Sequence, residues 1–350
     1  MSGGPAVAVL GFGNQGTAQA HCLRASGWQV VVGARPGPGR ERARAAGFET
    51  ADPAEAAARS EFVAALVPDE EFPSLHRDSI RAALRPGAAL VFAHGFSILY
   101  GQLDWAPEVD VVLVAPTAPG RVLAEEYDAG RGVPAYLAVA VDASGRAWER
   151  AEAYAAALGC ARARELRTTV AEEVAVDLFG EQTVLVGGLL ELVSAAVDTL
   201  VDAGYPPAVA YLECAHQMKY LADLLHREGP EGFVRGVSAT ALFGALTRGP
   251  RAVGPGVRRA MAEILSEVRS GRFAAEFLAD REAGGAALAR LRREAAAGAW
   301  GRLESARREA LAGGADRAGG PDGRPSGPAP PGGAPEGDSP DSRPESPRRR

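Results

Sequence analysis

At 350 residues the chain is long enough for two domains with a sizeable core. It is 47% hydrophobic and 23% charged with a net charge of −6, which argues against a nucleic-acid partner, since nucleic-acid binders carry a basic face. No apolar run reads as long enough to cross a bilayer, so no membrane association is expected.

The three cysteines, Cys22, Cys160 and Cys214, are far apart and odd in number. They suggest reduced thiols in a cytoplasmic protein rather than a disulfide frame. The opening "MSGGPAVAVLGFG" has neither a basic leader nor a cleavage pattern, so no signal peptide is read. Lys219 is the only lysine, which leaves almost no ammonium groups for chemistry.

The first strand, 6–10, runs straight into Gly11-x-Gly13-x-x-Gly16 at the head of a helix, 14–26. Gly11 permits a tight turn, Gly13 admits a pyrophosphate close to the backbone, and Gly16 lets helix and strand pack. The helix N-terminus offers free N–H groups to the phosphates. A bare Gly-rich turn is the alternative, but the context favours a dinucleotide. The second strand, 28–33, ends in "GARPGPGRERAR", where an NAD site would carry an acid. Arg35 and Arg40 suit a 2′-phosphate instead, so NADPH is the expected cofactor; a solvated arginine loop is the alternative. Further strands are expected at 62–67, 88–93, 110–115 and 135–140, with helices at 39–46, 53–59 and 70–84. This alternation predicts a doubly wound parallel sheet covered on both faces, a Rossmann α/β domain over 1–160.

The strand at 110–115 opens into "APTAPG", which has the shape of an active-site loop with Thr117 as its polar centre. An extended piece near 161–168 follows, and then long helices at 170–203, 207–228, 238–246, 255–270 and 272–312. These predict an all-α second domain over 161–312. In "VDLFGEQ", Asp177 and Glu181 lie four apart on one helical face, and Glu213 and Gln217 in "YLECAHQMK" repeat the spacing. Oxygen ligands from two packed helices suit magnesium; a solvated acidic face is the alternative. From 313 to 350 the chain is rich in Gly, Pro, Ser and charge with almost no large apolar residue, and is expected to be a disordered tail.

"GFGNQGTAQAHCLRASG", "LVPDE", "AHGFSILYGQ", "VAPTAPG", "EEYDAGRGVPA", "DLFGEQTVLVGG", "AGYPPAVAYLECAHQMK" and "LTRGPR", in this order, resemble ketol-acid reductoisomerase in its short form with a single helical domain. The resemblance covers roughly residues 5–312. It implies a knotted helical domain, a homodimer or higher homo-oligomer that completes each active site, NADPH, and two magnesium ions. It also implies a small-molecule substrate, an acetohydroxy acid of branched-chain amino-acid synthesis, whose alkyl group is shifted before the new ketone is reduced. By the same resemblance the cofactor contacts are Gly11, Phe12, Gly13, Asn14, Gln15, Gly16, Arg35, Arg40, Pro68, Asp69 and Gly120. His94 is the pocket histidine, Asp177, Glu181 and Glu213 are metal ligands, and Ser238 touches the substrate carboxylate across the dimer.

The departures are concentrated in the same pocket. Gln217 stands where the family has a glutamate ligand, and Thr117 followed by Ala118 stands where it has a lysine. Ala239 and Leu242 replace acids, and Leu99 replaces a common histidine. Glu→Gln removes a full charge from a metal site, and Lys→Thr removes a cation and a proton-transfer group together. The expectation is an NADPH-dependent oxidoreductase acting on a small 2-keto or acetohydroxy acid. Its isomerase step is lost or weakened, with His94 and Thr117 as the catalytic pair and one or two Mg²⁺. The alternatives are a fully working reductoisomerase and a non-catalytic NADPH-binding partner subunit.

Overall fold

The computed structural model describes residues 4–101 and 103–312; the expected disordered tail, 313–350, lies outside them. Eight strands form one sheet in the order β3-β2-β1-β4-β5-β6-β7-β8. They are β1 Ala6–Leu10, β2 Gln29–Gly33, β3 Glu49–Ala51, β4 Phe62–Ala65, β5 Ala89–Phe92, β6 Asp110–Pro116, β7 Ala135–Val141 and β8 Glu165–Arg167. Side chains alternate between two buried layers. Val7 and Val9 point into one core with Leu123, Ala151 and Tyr154, while Ala8 and Leu10 point into the other with Ala56, Phe72 and Ile80. Each core is closed by helices, as a sheet apolar on both faces requires.

Strands β1 to β6 are parallel, as expected. β7 corrects the expectation of a wholly parallel sheet: it runs antiparallel to β6, with Pro116 opposite Ala135. The connection contains one nine-residue helix, Gly120–Asp128, which carries the chain about 13.5 Å down the sheet face. Residues 129–134 can span up to about 20 Å when extended, so they return the chain to the end where β6 stopped. β3 was also not foreseen; it is a three-residue edge strand of mixed polarity, "ETA". β8 pairs with β7, so the sheet continues past the expected boundary at 160.

The helical part begins at Val170–Gly180, whose start is fixed by a capping box. Thr169 Oγ1 accepts from the Glu172 amide, and Glu172 returns a bond to the Thr169 amide. A π-turn, Glu181–Leu185, separates it from Gly187–Asp202. Gly187 and Gly188 are needed there, because a Cβ on either would lie 2.4 Å or less from the carbonyl of Gln182 or Thr183. The terminal helix, Ala299–Ala312, packs across Gly187–Asp202 through Val193, Val197 and Ala306. Arg302 there grips Asp198 with two bonds of 3.0 and 2.6 Å.

The segment Val170–Asp202 contains an 18-residue stretch of mean hydropathy 1.9, apolar enough by length and composition to cross a membrane, which corrects the sequence reading of no such run. It is broken by the π-turn, and Glu173, Asp177 and Glu181 stripe one side of it. Much of its apolar surface, Val184, Leu185, Val186 and Leu192 among it, is exposed, as are Val209, Phe243 and Leu246 on later helices.

Candidate active site

The crevice lies beyond the carboxyl ends of β1, β4, β5 and β6, where open α/β sheets place their ligands. Gly11 follows β1 with φ +93°, and a Cβ there would meet the Leu66 carbonyl at 2.8 Å. A Cβ at Gly16 would lie 2.4 Å from the Gly11 carbonyl, while nothing lies within 4 Å of the same point at Gly13. The backbone is therefore bare where a pyrophosphate is expected, at the N-terminus of the helix Asn14–Ala25. Phe12 is buried edge-on against Phe48, with ring centroids 5.6 Å apart. A cavity of about 680 Å³ opens beside this loop, lined by Phe12, Gly13, Asn14, Arg42 and Gly120.

The "APTAPG" loop is strapped to the glycine loop. Gln15 Nε2 donates to the Ala118 carbonyl at 3.1 Å, and a Cβ at Gly120 would press within 2.3 Å of the Asn14 carbonyl. Thr117 donates twice to the Pro134 carbonyl, from its amide at 2.9 Å and from Oγ1 at 3.0 Å. Its hydroxyl thus braces the entry to β7. In the loop after β2, expected to hold the cofactor's 2′-phosphate, Arg35 Nη2 lies 2.7 Å from Glu71 Oε2, and just beyond it Arg40 Nη1 lies 3.1 Å from Asp52 Oδ1. Pro68 accepts through its carbonyl from the amides of Glu71 and Phe72.

The chemistry-bearing cluster gathers at His94, just past β5. His94 Nε2 lies 3.0 Å from Asp177 Oδ2 and Nδ1 lies 3.5 Å from Asp69 Oδ2. Asp69, expected among cofactor contacts, is placed beside His94 and accepts from Ser97 Oγ at 3.1 Å. Burial alone would lower the His94 imidazole, but the Asp177 and Asp69 carboxylates outweigh it and hold it up at about 10. These neighbours favour the imidazolium form of His94 in the absence of metal.

Glu173, which the sequence reading missed, accepts from the Gly95 amide at 2.9 Å through Oε2. Burial raises its carboxyl to about 7 against the opposing pull of His94. Desolvation and then the Asp177 charge also raise Glu181, although that residue reaches the surface. The missed signal was periodicity: Glu173, Asp177 and Glu181 continue one four-residue stripe.

This helix approaches the sheet at Gly95. A Cβ there would meet Val174 Cγ2 at 2.7 Å, Glu173 Oε2 at 2.9 Å and Val170 Cγ1 at 2.9 Å. Gly95→Ala is expected to cost about 2 kcal/mol by overpacking and to push Asp177 away from His94. Urea denaturation and turnover check it; unchanged values for both would show that the helix yields freely.

The expected metal ligands are not all brought together. Asp177 and Glu181 sit at the His94 cluster, whereas Glu213 and Gln217 line a separate open groove with Cys214, Met218, Leu221 and Phe233. There Gln217 Nε2 donates to Glu213 Oε2 at 2.6 Å. Among the described residues no group of three or more His, Cys, Asp or Glu side chains is arranged to hold a metal ion. Ser238 caps the helix Ala239–Ala252, accepting from the Ala241 amide at 3.2 Å.

A family model described as acetohydroxy acid isomeroreductase, NADPH-binding domain, matches residues 3–164. A second, ketol-acid reductoisomerase, C-terminal domain, matches residues 170–310. The ketol-acid reductoisomerase (NADP(+)) of Pyrobaculum arsenaticum is 46% identical over 292 residues, covering 83% of this chain and 89% of that protein. The protein of the same name from Clavibacter sepedonicus is 44% identical over 292 residues, covering 83% and 86%. Among solved structures, an NADH-preferring ketol-acid reductoisomerase from an uncultured archaean superposes with a TM-score of 0.84. It is 38% identical, over 87% of this chain and 93% of that one.

Proposed function

The chain belongs to the ketol-acid reductoisomerase family, and on that premise we propose that it is an NADPH-dependent reductase of a small 2-keto or acetohydroxy acid. In this reading its alkyl-migration step is weakened or lost. The observation that carries the reading is Thr117. At the loop position where the resemblance calls for lysine, a neutral hydroxyl is spent on the Pro134 carbonyl. Gln217 adds to this, since it offers Glu213 an amide proton rather than a second carboxylate.

The residues present fit both expected small partners. The bare backbone at Gly13 and the close packing at Gly11 and Gly16 form a cradle that any Cβ would fill. Asp177 and Glu181 are hard oxygen donors one turn apart, of the kind magnesium takes. When bound, NADPH supplies the hydride and Mg²⁺ supplies Lewis-acid polarisation of substrate oxygens.

His94 sets its Nε2 3.0 Å from Asp177 as an ion pair and its Nδ1 toward Asp69 on the other side. The APTAPG loop positions the glycine loop through Gln15. The exposed apolar face on Val170–Asp202 suits a second copy of the chain. Such a copy would bring its own Glu213–Gln217 groove to the Asp177–Glu181 face, making the working unit a homodimer or larger. Cys22 and Cys160 are buried free thiols and Cys214 a half-buried one, which suits a reducing, cytoplasmic setting.

Purified protein with Mg²⁺ and NADPH tests the reading. Acetolactate is expected to be nearly inert, while a pre-rearranged 3-hydroxy-2-keto acid is reduced. Brisk turnover of acetolactate would favour a full reductoisomerase, and binding of NADPH without oxidation by either substrate would favour a non-catalytic partner.

Cofactor preference is a separate question, because the archaeal ketol-acid reductoisomerase of similar structure is NADH-preferring. Arg35 and Arg40 are free to exchange Glu71 and Asp52 for a 2′-phosphate, and each charge-assisted bond is worth about 1.5–3 kcal/mol. Arg35→Ala with Arg40→Ala is expected to raise the NADPH KM roughly 10–100-fold while sparing NADH. Equal losses for the two cofactors would reject the assignment.

A further inference from the structure

The loop after β4 carries three consecutive acids, Asp69, Glu70 and Glu71, and each faces a different neighbour. Asp69 faces His94 at 3.5 Å, and Glu71 holds Arg35 of the cofactor loop at 2.7 Å. Glu70 Oε1 lies 3.0 Å from Nη2 of Arg281, on the helix Arg272–Glu282 of the helical part. The pair is largely sheltered, with Glu70 21% and Arg281 35% exposed, and Arg281 Nε is buried with no hydrogen-bond partner of its own. The helix that carries Arg281 is docked independently: Phe277 meets Phe96 edge-on with centroids 5.8 Å apart. Tyr100 Oη, on the same short helix as Phe96, donates to the Val268 carbonyl at 3.3 Å.

We propose that Arg281 is a positioning residue for the reaction, clasping Glu70 so that the neighbouring Asp69 stays seated against His94 when the helical part docks on the sheet domain. This rests on the reductase reading of the His94 pocket. Without the clasp, the segment 68–71 keeps the Glu71–Arg35 pair, the Ser97 bond to Asp69 and its own turn, whose amides at Glu71 and Phe72 bond the Pro68 carbonyl, but has no tie to the helical part through Glu70. Arg281 lies outside the residues expected to contact cofactor or substrate, and its contact with the loop is Glu70.

Arg281→Met tests this with two readouts on the full-length protein. Hydrogen exchange of the 66–75 segment is expected to quicken about five-fold, as suits the loss of a sheltered ion pair. Turnover of the 3-hydroxy-2-keto acid is expected to fall roughly ten-fold, since small misplacements of a reacting group are costly. Arg281→Lys and the exchanged pair Glu70→Arg with Arg281→Glu should both recover most of each loss. Exchange at the wild-type rate in Arg281→Met overturns the proposal, as does faster exchange with undiminished turnover, which leaves only a structural brace. Failure of both rescue variants, in protein with an unchanged unfolding midpoint, overturns it as well. If the wild-type protein turns over no keto acid, the reductase reading fails, and the exchange measurement still decides whether the clasp exists.

Discussion

Asp177→Asn is expected to lower turnover about 10³-fold while leaving NADPH affinity within about two-fold. Two effects combine. The carboxylate 3.0 Å from His94 Nε2 is the first of three, with Asp69 and Glu173, that hold the imidazole up against burial. Once it is neutral, burial competes with Asp69 and Glu173 alone, and His94 in the metal-free protein falls from about 10. Asparagine also removes a full charge from the expected Mg²⁺ site, where even changes behind the ligands cost about 10–100-fold in affinity. Calorimetric Mg²⁺ titration, steady-state rates and NADPH fluorescence separate these terms. Turnover near the wild-type value would show that the reaction does not pass through the His94 cluster.

The parts of this arrangement that the sequence made legible are those governed by local backbone geometry. Gly11 and Gly16 announce their role because a turn and a close approach each forbid a Cβ there, and Gly13 because the fingerprint expects a pyrophosphate against its bare backbone. Asp177 and Glu181 could be placed on one face because helical periodicity is local too. The hidden parts depend on contacts far along the chain. Nothing local to Gly95 says that residues 170–174 will press against it, so the meeting of Asp69, His94 and Glu173 is invisible until the helical part docks. The direction of β7 depends on how far residues 129–134 can climb, which composition does not encode. β3 is too short for any alternation to register. Thr117 was read for its position in a pocket, but its bond to Pro134 belongs to the β6–β7 pairing and needed the register.

The double substitution Thr117→Lys with Gln217→Glu is expected to raise acetolactate conversion on the order of 10²–10⁴-fold. Thr117 is exposed and its amide bond to Pro134 is untouched by the change, so the loop should keep its place while a cationic proton donor enters. At Gln217 the amide now donates to Glu213 at 2.6 Å; a carboxylate in its place sets two like charges in contact. The variant should therefore bind Mg²⁺ more tightly and gain more stability from it than the wild type. Gln217→Glu alone should show that metal response with little gain in rate, because the proton-transfer group is still missing. Thr117→Lys alone should show the converse. Hydride transfer to a ketone already formed asks less of the site's charges than migration of a carbon group between neighbouring carbons, so reduction of the pre-rearranged acid should change little in any of the three. A double variant that takes up Mg²⁺ and NADPH yet remains inert to acetolactate would place the block elsewhere, with Ala239 and Leu242 next in line. A wild-type protein already as fast as the double variant would mean that Thr117 never marked a loss.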